Sequence, residues 1–140
     1  MAIWQKPHDL ATLAPMGEGT IDAWLGLKIT EIGADFLAGE LPVDHRTKQP
    51  FGLLHGGANV VLAETLGSLG GWLAAPPGFR CVGLEVNANH LAAARAGVVR
   101  GVARPIHLGQ RTQVWGIEIR RDDGQLSCIS RLTLAVIPER

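Results

Sequence analysis

His55-Gly56-Gly57-Ala58-Asn59-Val60-Val61-Leu62-Ala63-Glu64-Thr65-Leu66-Gly67-Ser68-Leu69-Gly70-Gly71-Trp72-Leu73-Ala74-Ala75-Pro76-Pro77-Gly78 is the stretch whose reading decides the fold. It is apolar nearly throughout and is closed by a Pro-Pro-Gly break, so one long helix is expected over about residues 57–75. One carboxylate, Glu64, stands in its middle. Burying a carboxylate without partners is costly, and glutamate is rare in such a setting unless it is paired or used in chemistry.

Either side of this helix the pattern changes. Upstream, helical segments are expected at residues 9–16 and 20–25, punctuated by Gly17 and Gly19. Residues 27–32 and 36–43 read as strands joined by the hairpin-type turn Gly33-Ala34-Asp35, and residues 44–54 as a loop centred on Gln49-Pro50-Phe51-Gly52. Downstream, residues 82–91, 98–106, 111–121 and 126–137 carry β-branched or alternating patterns. Arg95-Ala96-Gly97, Leu108-Gly109 and Asp122-Asp123-Gly124 mark the turns between them. With hairpin-length links and no room for crossover helices, these strands are expected to pair antiparallel. The expected fold class is α+β: an antiparallel sheet curled around one long central helix, in a single domain over residues 1–140.

The chain has 140 residues, with 13 Lys and Arg balanced by 13 Asp and Glu. No global field therefore draws it to nucleic acid or to an anionic membrane. A hydrophobic fraction of 46% is high for a chain this small, which points to apolar surface shared between subunits. Cys81 and Cys128 lie far apart in strand-like runs and outside any Cys/His ligand pattern. They read as buried small hydrophobes in a reducing compartment, and a cytoplasmic location is expected. The first residues include Asp9 and no continuous apolar core, which argues against a signal peptide. Asn59, Glu64, Thr65, Ser68 and the glycines argue against a membrane span in the long helix.

The start of that helix offers orphan backbone N–H groups and a positive dipole end, and Gly56 and Gly57 leave them open to a ligand. Glu64 is a candidate base or nucleophile. Ser68, one turn on, lies over the same face and is placed to hold a water or to orient the carboxylate. Eight residues separate Gly56 from Glu64, roughly 12 Å of rise along a helix. Both would have to stand within about 3–3.5 Å of one reacting centre. If both are catalytic, Gly56 of one subunit must face Glu64 of another. Two antiparallel copies of the helix, packed through their glycines, would give two equivalent sites at a two-fold interface.

Gln49-Pro50-Phe51-Gly52-Leu53-Leu54-His55-Gly56-Gly57, followed by Ala63-Glu64 and Gly67-Ser68, closely resembles the hotdog-fold acyl-CoA thioesterases. The similarity is to the branch of the 1,4-dihydroxy-2-naphthoyl-CoA hydrolases and the enterobactin-pathway proofreading thioesterases. Val82-Gly83-Leu84-Glu85-Val86-Asn87-Ala88-Asn89-His90 and Pro105-Ile106-His107-Leu108-Gly109-Gln110-Arg111 match as well, and the resemblance covers nearly everything after about Ala14. It implies a hotdog thioesterase domain that hydrolyses aryl- or medium-chain acyl-CoA to free acid and CoA. Glu64 would be nucleophile or general base. The partner's Gly56 N–H would polarise the carbonyl. Gln49 and His55 would hydrogen-bond around that carbonyl and the leaving sulfur, and Ser68 would position water. It also implies CoA contacts from Gly83, from His90, Leu91, Ala92 and Ala93, and from His107, Leu108, Gly109, Gln110, Arg111 and Thr112. Coenzyme A would then be part of the substrate, with no separate cofactor. The assembly would be a dimer, usually paired into a homotetramer, and an acyl carrier protein would be an alternative thioester donor.

A local charge pattern agrees with a nucleotide ligand. No carboxylate occurs between Glu85 and Glu118, while His90, Arg95, Arg100, Arg104, His107 and Arg111 fall in that span. The five histidines lack the spacing of a zinc site, so no metal is expected. Leu66-Gly67-Ser68-Leu69-Gly70 fails as a nucleophile elbow, because Leu66 stands where its first glycine belongs. A hotdog dehydratase or hydratase would want a histidine followed by a proline-glycine loop before the helix. A non-catalytic acyl-CoA-binding module should lack the central carboxylate. Asn59 and Thr65 read as structural. Trp4, Trp24, Phe36, Phe51 and Trp72 are the aromatic candidates to line an acyl pocket.

Overall fold

In the computed structural model, which describes residues 1–140, the apolar run folds as one helix, α3 (Gly56–Ala74). Its first turn is capped by His55, whose Nδ1 accepts a hydrogen bond from the Gly57 N–H at 2.8 Å. Its last turn is capped from a distance by Lys6. The ammonium donates to the carbonyls of Trp72 (2.7 Å), Ala75 (3.1 Å) and Phe79 (2.9 Å), placing a cation at the negative end of the helix dipole. No helix is long and apolar enough to cross a membrane.

The upstream helical segments are shorter than the sequence suggests. They form α1 (Leu10–Leu13), a 3₁₀ turn over Ala14–Gly17 with Pro15 near its start, and α2 (Ile21–Leu25). α2 starts at the Thr20 cap and ends at Gly26, whose φ of +76° only glycine adopts readily.

Six antiparallel strands form one sheet: β1 (Lys28–Ile32), β2 (Leu37–Pro42), β3 (Phe79–His90), β4 (Val98–Leu108), β5 (Thr112–Arg121) and β6 (Leu126–Pro138). Their spatial order is β1-β2-β4-β5-β6-β3. This corrects one expectation. The link before β4 is not a hairpin, because β3 pairs with β6 on the far side of the sheet. Residues 91–97 instead cross the sheet past the start of α3. They are held by Leu91 N–H to the Ser127 carbonyl (2.8 Å), Leu54 N–H to the Ala94 carbonyl (2.8 Å) and Val43 N–H to the Gly97 carbonyl (2.8 Å). β1 and β3 are thereby the two sheet edges.

The core lies between the sheet and α3. Leu62, Ala63, Leu66 and Leu73 are fully buried against Leu37, Leu41, Trp115, Ile117, Leu132 and Leu134. Glycines let the helix approach this closely. A Cβ on Gly70 would stand 2.8 Å from the Trp115 ring, and one on Gly67 would stand 2.6 Å from Leu132. Gly67, Gly70 and Gly71 therefore face the chain's own sheet, not a second helix, which corrects the expectation that glycines join two copies. Trp115 is fixed in turn by a hydrogen bond to Gln113 (2.8 Å) and by stacking on Trp4, with centroids 6.2 Å apart. Trp4 is thus a core residue and not a pocket aromatic.

Candidate active site

α3 has two faces. The sheet face is fully buried, whereas Val60, Val61, Glu64, Thr65, Ser68, Leu69 and Trp72 form a half-buried outer stripe at helical spacing. Glu64 is therefore not sealed in the core as the sequence implies. It makes no hydrogen bond or ion pair, and its Oε1 lies 3.3 Å from where a Cβ on Gly83 would stand. The register shift of β3 between Gly83 and Glu85 falls at this point, and bulges commonly re-aim a strand beside a site.

Glu64 and Ser68 open into a cavity of about 680 Å³. Leu13, Met16, Leu27, Ile29, Leu69 and Trp72 give it apolar walls, and Asp22, Lys28 and Thr65 add polar groups. The roof is the N-terminal segment, α1 through α2, which the sequence reading left without a role. Of the five aromatic candidates only Trp72 lines this cavity. Trp24 and Phe51 are exposed, at 77% and 86%, and Phe36 packs under the Arg104 guanidinium, 4.7 Å from ring centroid to cation.

Gly56 opens into a different cavity of about 340 Å³, shared with Gln49, Asn59, His90, Leu91, Ala92, Ala93 and Ser127. Its backbone is closely approached by His90, whose Nε2 lies 2.8 Å from where a Cβ on Gly56 would stand. Gln49 sits on a tight loop over residues 49–53, where its side-chain oxygen accepts the Phe51 N–H and its own N–H donates to the Leu53 carbonyl at 2.8 Å. His55 is exposed at the entry to the helix. One chain therefore brings Gly56, Gln49 and His90 together, and Glu64 with Ser68 and Gly83, but not the two groups with each other.

The expected CoA contacts divide in the same way. His90, Leu91, Ala92 and Ala93 line the cavity at the start of α3. Leu108, Gly109, Gln110 and Arg111 line a cavity of about 530 Å³ beside Ala74 at its end, with His107 and Thr112 flanking them on β4 and β5. The expected basic field is weaker than the sequence suggests. Arg100 pairs with Glu31 (2.7 Å) and Arg104 with Asp35 (3.1 Å), both acids standing on or beside β1, while Arg95 and Arg111 make no ion pair.

Two residues read as structural are part of the cavity walls. Asn59 is 3% exposed, its Oδ1 has no hydrogen-bond partner, and its Nδ2 lies 3.4 Å from His90 Nδ1. Thr65 Oγ1 donates to Asp22 Oδ1 at 2.8 Å in the wall of the larger cavity. The only sequence signal was their polarity within an apolar helix. Both cysteines are free, and burial pushes each thiol up from its ordinary value.

The profile of the thioesterase superfamily matches residues 51–128, more than half of the chain. The chain belongs to the thioesterase superfamily. It is 53% identical to the 1,4-dihydroxy-2-naphthoyl-CoA hydrolase of Escherichia coli (strain K12), over 96% of this chain and 99% of that one. It is 47% identical to the proofreading thioesterase EntH of Cronobacter turicensis, over 96% and 98% of the two chains. Among solved structures, a thioesterase of Haemophilus influenzae superposes with a TM-score of 0.95 at 48% identity, covering 97% of this chain and 95% of that one. The hotdog architecture expected from the sequence is thus shared with thioesterases of known structure. The superfamily match contains Gly56, Glu64, Ser68, Gly83 and His90, whereas Gln49 and the N-terminal walls of the larger cavity, Leu13 to Ile29, lie before it.

Proposed function

We propose that this protein hydrolyses acyl-CoA thioesters, with aryl or medium-chain acyl groups, to the free acid and CoA. One observation carries the reading: in a thioesterase-superfamily chain, a carboxylate without hydrogen bond or ion pair faces a largely apolar cavity of about 680 Å³. The acyl group occupies that cavity and presents its carbonyl carbon to Glu64. Glu64 either removes a proton from an attacking water or adds to the carbon itself, forming a mixed anhydride that water then opens. Ser68, one turn along the same face, holds the water. In both routes the C–S bond breaks, and the thiolate leaves and takes up a proton.

Negative charge that develops on the carbonyl oxygen needs fixed donors. The Gly56 N–H, at the positive end of α3, is one. His55 is another: because its Nδ1 accepts from Gly57, the ring proton sits on Nε2 and is free to donate. Gln49, with its oxygen engaged by Phe51, keeps its amide N–H groups for the same purpose. These donors stand roughly 12 Å along α3 from Glu64, so they serve the Glu64 of a partner subunit. An antiparallel copy of the helix also brings residues 90–93 of one chain toward residues 107–112 of the other, making one CoA groove from two half-grooves. β3 is an unpaired edge twelve residues long, and its antiparallel pairing with a second copy supplies that arrangement. A dimer is the smallest working unit, and two dimers pair into a tetramer. CoA enters as substrate, no separate cofactor takes part, and the free cysteines suit a cytoplasmic workplace.

Release of free thiol from a panel of acyl-CoA and acyl-carrier-protein thioesters tests the reading. Turnover of CoA thioesters is expected. Silence toward every CoA thioester, with activity on carrier-protein thioesters, would transfer the role to the proofreading type of the EntH relative; silence toward both would end the hydrolase reading. Co-expression of Glu64→Gln with Gln49→Ala tests the shared site. Mixed dimers retain one intact site of two, so random assembly is expected to restore about a quarter of wild-type activity from two weak parents. No recovery would place the whole site within one chain.

A further inference from the structure

We propose that Asn59 is a positioning residue: its buried amide holds the His90 ring with the proton on Nε2, so that this N–H stands beside Gly56 as a further donor to the thioester carbonyl. The inference rests on the reading of the start of α3 as the end of the site that binds the carbonyl. Asn59 follows Gly56 by three residues, and helical side chains lean toward the N-terminus. Its amide is thereby carried back over the turn that Gly56 begins. His90, the last residue of β3, arrives from the sheet. Gly56, Asn59 and His90 line one cavity.

Asn59 Nδ2 lies 3.4 Å from His90 Nδ1. An amide nitrogen can only donate, so Nδ1 accepts and the neutral ring carries its proton on Nε2. That nitrogen is the ring atom nearest the helix start. A Cβ on Gly56 would stand 2.8 Å from Nε2, against 3.2 Å from Cε1 and 3.3 Å from Cδ2. Glycine at this position is thus what lets the ring lie there. Nε2 has no protein partner and His90 is exposed, so the N–H is free for a ligand. Packing alone does not account for Asn59. Its Oδ1 is buried without a donor, a cost that an apolar side chain of similar size would avoid. What the amide supplies in return is the contact to His90, its only side-chain hydrogen bond.

Nitrogen NMR of the labelled protein reads the tautomer directly, at a pH above the ordinary imidazole value of about 6.5 and with His90→Ala to assign the ring. Wild type is expected to show Nε2 protonated and Nδ1 bare. Asn59→Asp, whose carboxylate only accepts, should move the proton to Nδ1 and turn Nε2 into an acceptor. Its kcat on a competent acyl-CoA is expected to fall about 10-fold or more, with KM within about twofold, as for a donor used in the transition state. Asn59→Leu guards against loss of fold, because it removes the unpaired oxygen and should melt no lower than wild type. It should lower kcat about threefold in the wild-type background and not at all in His90→Ala, since Asn59 acts only through that ring. A wild-type ring protonated on Nδ1 overturns the assignment while leaving hydrolysis intact. So does an inverted tautomer with unchanged kcat, or an Asn59→Leu loss that persists in His90→Ala. Absence of wild-type turnover on every acyl-CoA removes the hydrolase reading, and the donor role of His90 with it.

Discussion

The two faces of α3 obey different rules although their residues alternate in sequence. Toward the sheet, Leu62, Leu66 and Leu73 fill space and Gly67, Gly70 and Gly71 remove it, so that helix and sheet meet at van der Waals distance. On the outside, Glu64, Thr65, Ser68 and Trp72 are half-buried beside open volume. The contrast teaches that packing and chemistry divide by angle around one helix and not by position along it. Substitutions one or two residues apart should therefore fail in different ways.

Glu64→Gln should give the largest effect and the cleanest break. Turnover of a competent acyl-CoA is expected to fall by about 10²–10⁴-fold. Its unfolding free energy should stay within about 0.5 kcal/mol of wild type by chemical denaturation, since no partner is lost. A large stability change would show that the outer face also carries packing. Gly70→Ala inverts the pattern. Its new Cβ meets a Trp115 ring that cannot move aside, and a loss of about 1–3 kcal/mol is expected despite better helix propensity. Specific activity of the folded fraction should be preserved, which calorimetry and an active-site titration would read together.

Gly83→Ala probes the boundary between sheet and site. A Cβ 3.3 Å from Glu64 Oε1 shifts the carboxylate by a few tenths of an ångström, and a drop in kcat of about 10-fold is expected with little change in melting temperature. The smallest effect lies away from the helix. Asp44 accepts hydrogen bonds from the Arg46 backbone and guanidinium, which lower its pKa to about 2 from an ordinary 3.8. A folded-state value below the unfolded one adds stability above about pH 4 and loses it as pH falls toward 2. The stability gap between wild type and Asp44→Asn in urea should therefore narrow across that window, with turnover at neutral pH unchanged. A gap that stayed constant would assign the loop's contribution to uncharged contacts.

Much of this was legible in the sequence because it depends on local pattern or on simple lengths. Strand positions followed alternation and turn residues, and the helix followed an apolar run bounded by a Gly pair and Pro-Pro. The separation of Gly56 from Glu64 needed only the helical rise. What was not legible depends on what stands opposite. A helix that is apolar or glycine all round has almost no amphipathic direction, so nothing told which face met the sheet or where its glycines pointed. Arg100 and Arg104 looked free because their acids, Glu31 and Asp35, lie some seventy residues earlier, at the β1–β2 hairpin. Asp22 was invisible as a cavity residue for the same reason: its partner Thr65 is 43 positions away.

The passage of residues 91–97 across the sheet has a consequence for how the molecule is made. β3 leaves the ribosome well before β6, its only strand partner within the chain, because β4 and β5 intervene. Until β6 (Leu126–Pro138) emerges, both edges of β3 are bare, and pairing of two nascent copies competes with completion of either one. The order of synthesis thus leaves the strand nearest Glu64 as the last to be secured, and truncation at the C-terminus should release that strand before it disturbs any other.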